Sequence, residues 1–375
     1  MIYLDYSATT PVLYDVLESY NKATKEYMAN ANSLHSLGIK SKQLLESATT
    51  QISELFNIKN KEIIFTSGAT ESNNMAIKGI AFEYQSRGKH IIVSKLEHPS
   101  VYAVCDYLET LGFEINKIKN DKHGLIDLED LKSLIRKDTI LVSINAVNSE
   151  LGIKQPLKTI RQVIKKSNPN TFFHTDITQA IGKIPVNLHD VDLASMSAHK
   201  IYGPKGIGIL YKNEKIEITP LIHGSTKIDT LRPGTPPLAL IVAMSKAFRI
   251  ALTDIDKKNE FVKKLNENIC DYLKDKEGIL INKTPYSIPH ILSISILDVR
   301  PETFIHAMEK HEIYIGTHTA CATGDISRSV MAVYDDKRRA LSTIRISLSH
   351  ITTLNEITIF LENFEIEYAH LKELS

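Results

Sequence analysis

The sequence predicts an α/β fold: a large domain with a mostly parallel seven-stranded sheet covered by helices on both faces, joined to a smaller α+β domain. Two observations carry this. Between residues 60 and 212, seven short β-rich runs (62–65, 90–94, 114–118, 140–145, 171–174, 191–196 and 207–211) alternate with helical stretches. Beyond Pro236 the rhythm changes, with strand-like runs at 291–297 and 344–348 set among helices near 301–311 and 354–371.

The elements follow in order. Two helices precede the alternating block, one from Pro11 to about Tyr27 and one from Ile39 to Phe56, the second with Leu44, Leu45, Ala48, Ile52 and Leu55 on one face. An apolar helix runs from Pro236 to about Leu252, and charged Asp254 to Glu260 marks a boundary. The reading is a large domain of residues 13–252, and a small one of residues 1–12 and 253–375.

Composition narrows the class. With 375 residues, 43% hydrophobic and 24% charged, the chain can bury large cores and is not disordered. Forty-five basic residues against 44 acidic ones argue against direct binding to bulk nucleic acid or anionic membrane. No basic-then-apolar leader and no apolar run near ~20 residues is present, so a cytoplasmic location with no membrane association is expected. Three cysteines without paired spacing suit a reducing compartment and exclude a disulfide framework or a metal ribbon; no metal site is expected. Cys105 and Cys270 sit among apolar residues at helical spacing and read as packing residues, whereas Cys321 lies in the small, polar stretch from Gly316 to Gly324.

In a parallel sheet, ligands bind at the carboxyl ends of the strands, so the polar residues after each run should converge. Ser197-Ala198-His199-Lys200 follows one run and enters a Gly/Pro turn, which can project the lysine into a cleft. A desolvated lysine amine is a good Schiff-base former, and Ser197 and His199 suit a phosphate, though a lone lysine in a turn is ordinarily just solvated. Asp176 ends another run; it could hold a pyridine nitrogen protonated or merely cap a helix. Thr66 to Asn74 is a Gly-containing turn that opens a helix, either a phosphate cradle or a Thr/Ser-capped start. His98 follows a fourth run, placed to stack on a flat ring and exchange protons.

These features, with Asn32-Ser33-Leu34-His35, the 3–11 stretch and Ser342 to Leu348, occur in one order and spacing. In them the chain resembles the class V branch of fold-type I pyridoxal-phosphate enzymes, and within it cysteine desulfurases of the NifS/IscS kind, nearly end to end. The resemblance implies that Lys200 carries pyridoxal 5'-phosphate covalently, Asp176 pairs with the pyridine nitrogen and Gln179 meets the 3'-oxygen. It implies that Ala69, Thr70, Ser197 and His199 hold the phosphate, that Thr235 reaches it from the partner subunit of a homodimer, and that His98 stacks on the ring. Arg345 and Asn32 would bind the substrate. The Cys321 stretch resembles the desulfurase nucleophile loop, so L-cysteine would yield L-alanine and a persulfide on Cys321, carried to an acceptor.

Two places depart from the family pattern. Ser149 stands where a cofactor-contacting Asn is usual, a role for which Asn148 is no substitute, and residues 223–227 are bulkier than the usual glycine run. They leave open a degenerate cofactor-binding scaffold beside the desulfurase, and the fold leaves open a class V aminotransferase or selenocysteine lyase. The implied acceptor is an iron–sulfur scaffold or a ThiI-like tRNA-thiolating enzyme, with the divergent segments leaning to the second.

Overall fold

A computed structural model describes residues 1–224, 231–317 and 326–373; Cys321 and residues 225–227 of the divergent segment lie outside them. The chain opens with β1 (Ile2–Tyr3), α1 (Tyr14–Glu26) and α2 (Ser36–Phe56). The alternating block comprises β2 (Ile63–Thr66), α3 (Ala69–Tyr84), β3 (His90–Ser94), α4 (Pro99–Thr110), β4 (Glu114–Ile118), α5 (Leu128–Leu134), β5 (Thr139–Ser143), α6 (Leu157–Ser167), β6 (Phe172–Asp176), β7 (Leu193–Ser197) and β8 (Gly208–Lys212). After α7 (Leu238–Leu252) and α8 (Ile255–Leu273) come β9 (Ile279–Ile281), β10 (Ile291–Ile296), α9 (Pro301–Glu309), β11 (Ile313–Tyr314) and β12 (Gly316–Thr317). The remaining elements are α10 (Arg328–Tyr334), α11 (Lys337–Leu341), β13 (Thr343–Ser347) and α12 (Leu354–Glu373).

The expected seven strands form one sheet in the order β2-β8-β7-β6-β5-β3-β4. β3 to β7 pair in parallel with their neighbours, and β8 runs antiparallel to both β7 and β2. β2 therefore points the same way as the parallel strands, and its carboxyl end lies on their edge. β3, β5, β7 and β8 are buried at every position, as expected of strands covered on both faces. Alternate residues feed two cores: Ile92, Val142, Phe173, Ala194 and Ile209 share one with α1, α2, α5, α6 and α7, while Ile91, Leu141, Leu193 and Leu210 share the other with α3 and α4. Phe56 and Phe248 meet edge to face at 5.3 Å in the first.

The smaller sheet, β12-β13-β10-β9, is antiparallel and packs Ile294, Ile344 and Ile346 against Leu265, Phe304 and Phe360 from α8, α9 and α12. β1 pairs with β11, which draws the first residues of the chain into this second core. Among the described residues no helix is long and apolar enough to cross a membrane.

Several sequence boundaries shift. α1 starts at Tyr14 rather than Pro11, and α2 starts at Ser36 because His35 caps it, its Nδ1 accepting from Gly38 N at 3.2 Å. Leu55 is exposed: it lies about 100° around α2 from Phe56, and the buried stripe runs through Ser41, Ala48, Ile52 and Phe56. In the charged stretch Asp254 to Glu260 the break falls at Asp254, whose φ is +54°, and α8 starts at Ile255. β6 continues two residues past 174, so Asp176 is its last residue.

Candidate active site

The carboxyl edge of the large sheet forms a cavity of about 400 Å³. Its walls bring together Ala69, Thr70, His98, Ser149, Asp176, Gln179, Ser197, His199 and Lys200, contributed by the exits of five strands. Such convergence follows from parallel topology, which puts every strand's outgoing turn on one edge.

One end is shaped for an anion. Gly68 is the N-cap of α3 and no side chain caps this helix, so the Thr/Ser-capped alternative is not what forms; Thr66 Oγ1 instead contacts Ser72 Oγ at 2.8 Å. First-turn N–H groups and the positive end of a sixteen-residue helix are left for a ligand. Ser197 Oγ stands beside this turn, 3.7 Å from where a Cβ on Gly68 would lie. The approach of β8 requires Gly208, since a Cβ there would meet Met196 O at 2.6 Å and Gly68 Cα at 2.7 Å. His199 Nδ1 contacts Thr9 Oγ1 at 3.1 Å, and burial, then Lys200 and Lys205, bring its pKa down to about 4. A phosphate dianion beside it would raise that value.

The floor is Asp176. Its Oδ2 accepts from Asn73 Nδ2 at 2.8 Å and its Oδ1 from Thr178 N at 2.9 Å, which fixes both oxygens. Below it on the same face of β6, fully buried His174 spans to Ser143 Oγ at 2.8 Å and Ser195 Oγ at 2.9 Å, bracing three strands. Asn73 also donates to Ser100 Oγ at 2.9 Å, and Ser100 Oγ meets His98 Nδ1 at 2.9 Å. This Asp176–Asn73–Ser100–His98 chain was not legible in the sequence; Asn73 read only as part of a helix opening. His98 is the N-cap of α4, with Nδ1 accepting from Ser100 N at 3.1 Å. A nitrogen that accepts a backbone N–H carries its lone pair there, so the neutral ring has its proton on Nε2. Burial, partly opposed by Asp176, lowers the His98 pKa.

Lys200 Nζ donates to Ala8 O at 2.7 Å and also to Ser7 O, so the first residues of the chain form one wall of the cleft. Gln179 Nε2 reaches the same Ser7 carbonyl at 3.0 Å. Thr178 Oγ1 is buried at this cavity and meets no hydrogen-bond partner among the described residues. The donor set fits pyridoxal 5'-phosphate: an uncapped helix end with Ser197 and His199 for the phosphate, a fixed carboxylate for the ring nitrogen and a lysine for the aldehyde.

Other expected residues stand elsewhere. Arg345 is buried behind the cavity rather than lining it; its Nη2 pairs with Asp5 Oδ1 at 2.8 Å and its Nη1 donates to Ser149 O at 3.1 Å. Asn32 and Thr235 line a second cavity, of about 380 Å³, with Phe65, His223 and Arg232. Arg232 links the two through Glu71, at 3.1 Å. Asn148 Oδ1 accepts from Glu150 N and Leu151 N, so it caps its own turn.

The family profile described as Aminotransferase class-V matches residues 2–360. The chain belongs to this family. It is 41% identical over 383 residues to a NifS/IcsS protein homolog of Lactobacillus delbrueckii subsp. bulgaricus, covering all of this chain and 99% of the relative. It is 37% identical to the cysteine desulfurase IscS of Dictyoglomus turgidum, covering all of this chain and 96% of that protein. A solved NifS-like protein superposes with a TM-score of 0.94 at 35% identity, over 98% of this chain and 99% of its own. The chain thus falls with the NifS/IscS members of the family, which are pyridoxal-phosphate enzymes.

Proposed function

We propose that the chain is a cysteine desulfurase in which L-cysteine becomes L-alanine and its sulfur becomes a persulfide on Cys321. The observation that carries this is the joining of Lys200, Asp176 and an uncapped helix end in one cavity of a NifS/IscS family member that has a cysteine in the Gly316–Gly324 stretch.

Bound pyridoxal 5'-phosphate, held by Ala69, Thr70, Ser197, His199, Asp176, Gln179 and Lys200, supplies an electron sink for charge at the substrate α-carbon. Lys200 would hold the cofactor aldehyde and, with substrate bound, would be the base that takes the α-proton at its Nζ. His98, in the cavity wall, would stack on the cofactor ring and move protons at Nε2, the ring nitrogen that Ser100 does not engage. Arg345 engages the substrate carboxylate from behind Ser149, held ready by Asp5.

Cys321, as thiolate, forms a bond to the substrate sulfur while the carbon–sulfur bond breaks; the electron pair stays on carbon and, with a proton, becomes the methyl group of alanine. Of the other two thiols, burial pushes Cys105 up to about 12, and Cys270 is raised likewise and packs beside the small core. Neither is suited to nucleophilic attack. Thr317, at the end of β12, lies four residues from Cys321, a reach of up to about 14 Å. Thr235 and Asn32, which share the second cavity, serve the partner subunit's cleft in a homodimer. The persulfide acceptor is a thiol on an iron–sulfur scaffold or a ThiI-like tRNA-thiolating enzyme.

The test is to purify the chain with pyridoxal 5'-phosphate and assay alanine and sulfide from L-cysteine in the presence of a thiol. Yellow protein and equimolar products are expected, with Lys200→Ala colourless and inactive. A chain that neither takes up the cofactor nor yields alanine would sink the reading.

A further inference from the structure

Lys183 has no part in the chemistry above, yet it is buried against the site. After β6 the chain turns tightly, with Ala180 N and Ile181 N both bonded to Ile177 O at 2.9 Å. Gly182 then takes φ +70°, where a Cβ would press Ala251 at 3.0 Å and Ile201 at 3.2 Å. This left-handed step sends Lys183 inward. Its carbonyl accepts from Asn259 Nδ2 at 3.0 Å, and its Nζ donates to Gln179 Oε1 at 2.6 Å.

Among the described residues no carboxylate pairs with Lys183; the ionisable groups that face it are Lys200, Arg345 and the imidazole of His290. Burial first, then these two cations, bring its pKa down to about 7. An apolar side chain of this length would cost the fold less.

We propose that Lys183 is a positioning residue that locks the amide of Gln179 with its oxygen turned away from the cleft, so that Gln179 offers an N–H donor to the 3'-oxygen of the cofactor. This rests on the reading of the cleft as a pyridoxal-phosphate site. In its protonated form the Lys183 amine has three donors and no acceptor, so it holds Oε1 of Gln179, which it meets at 2.6 Å. Nε2 is then committed to the opposite side, where it already meets Ser7 O at 3.0 Å beside Lys200. A charge behind the amide also polarises its N–H groups toward an anionic oxygen.

The experiment titrates the visible absorbance of the Lys200-bound cofactor against pH, and measures the cofactor dissociation constant, for full-length Lys183→Met in wild-type and Gln179→Leu backgrounds. Removing a buried charge should leave the variant folded, which melting of the cofactor-free chain checks. In the wild-type background the midpoint should rise by roughly half a unit to one unit, because a weakened donor leaves more negative charge on the 3'-oxygen; affinity should fall about 3- to 10-fold. In the Gln179→Leu background the same change should have a clearly smaller effect, with only the direct charge interaction between Lys183 and Lys200 left.

Lys183→Gln, a neutral donor, should give a smaller shift in the same direction, and it carries the same comparison if the methionine variant does not fold. An unchanged midpoint and affinity, or an equal shift in both backgrounds, would overturn the inference. A wild-type chain that takes up no cofactor would instead sink the reading on which it rests.

Discussion

At the cofactor end of the cleft each named side chain is braced by the large sheet: Asp176 by Asn73 and Thr178, the strands beneath by His174, and the anion turn by the close packing of Gly208 on Gly68. On either side of the Cys321 stretch, the described residues are anchored by the smaller sheet and its neighbours. Gly316 of β12 pairs with Arg345 of β13, and Ser327, N-cap of α10, donates to Glu150 Oε2 at 2.6 Å while accepting from Val330 N at 3.1 Å. The difference fits our proposal that holding the cofactor and taking the sulfur fall to different parts of the fold. Substitutions should separate the two.

The sharpest separation is expected from Cys321→Ser. Sulfur release from cysteine should be abolished while the yellow absorbance stays, read by a sulfide assay beside a visible spectrum. Retained sulfide production would return the selenocysteine lyase or aminotransferase alternative.

Next in size is Arg345→Lys, which keeps a charge for Asp5 but loses the two-pronged geometry. kcat/KM for cysteine should fall roughly 10- to 100-fold, one charge-assisted hydrogen bond at about 1.5–3 kcal/mol, with the colour intact. Steady-state kinetics checks it, and an unchanged kcat/KM would remove Arg345 from the substrate.

Gly208→Ala acts at the other end. Its Cβ must displace Met196 O or the Gly68 turn, so a stability loss of about 1–3 kcal/mol by denaturant unfolding and weaker cofactor uptake are expected, with the KM for cysteine unmoved.

The smallest effect is electrostatic. Lys183 is held near 7 in the folded chain against 10.5 when unfolded. Above about 10.5 the amine is neutral in both states; below about 7 it is charged in both, and the folded state carries the full burden of a buried charge. Between these limits the unfolded chain binds more protons, so Lys183 makes stability rise with pH, by at most about 1.4 kcal/mol per unit. Cofactor-free Lys183→Met should lack this slope and be the more stable protein near pH 7, measured by unfolding at several pH values.

Much of the cleft could be read along the chain because its parts lie where strands end. Asp176, Ser197 and Lys200 follow β-rich runs, and parallel topology alone brings them together. What escaped the sequence depends on contacts between distant residues. Asn73 matters through Asp176, 103 positions away, and Lys183 through a glycine turn that looks like any other loop. Leu55 was misplaced because apolar spacing on a long helix does not say which edge of the stripe meets the core. Arg345 was expected to bind the substrate, but its contacts with Asp5 and the Ser149 carbonyl are visible only in the packed structure.

In the proposed reaction Cys321 takes the sulfur from a substrate held by the large sheet. One turnover of cofactor-loaded protein with L-cysteine, quenched by a thiol-blocking reagent and followed by peptide mass spectrometry, tests it most directly. One added sulfur atom on the peptide containing Cys321, in step with alanine formed, is the expected result. Sulfur on Cys105 or Cys270, or alanine formed with Cys321 unmodified, would contradict it.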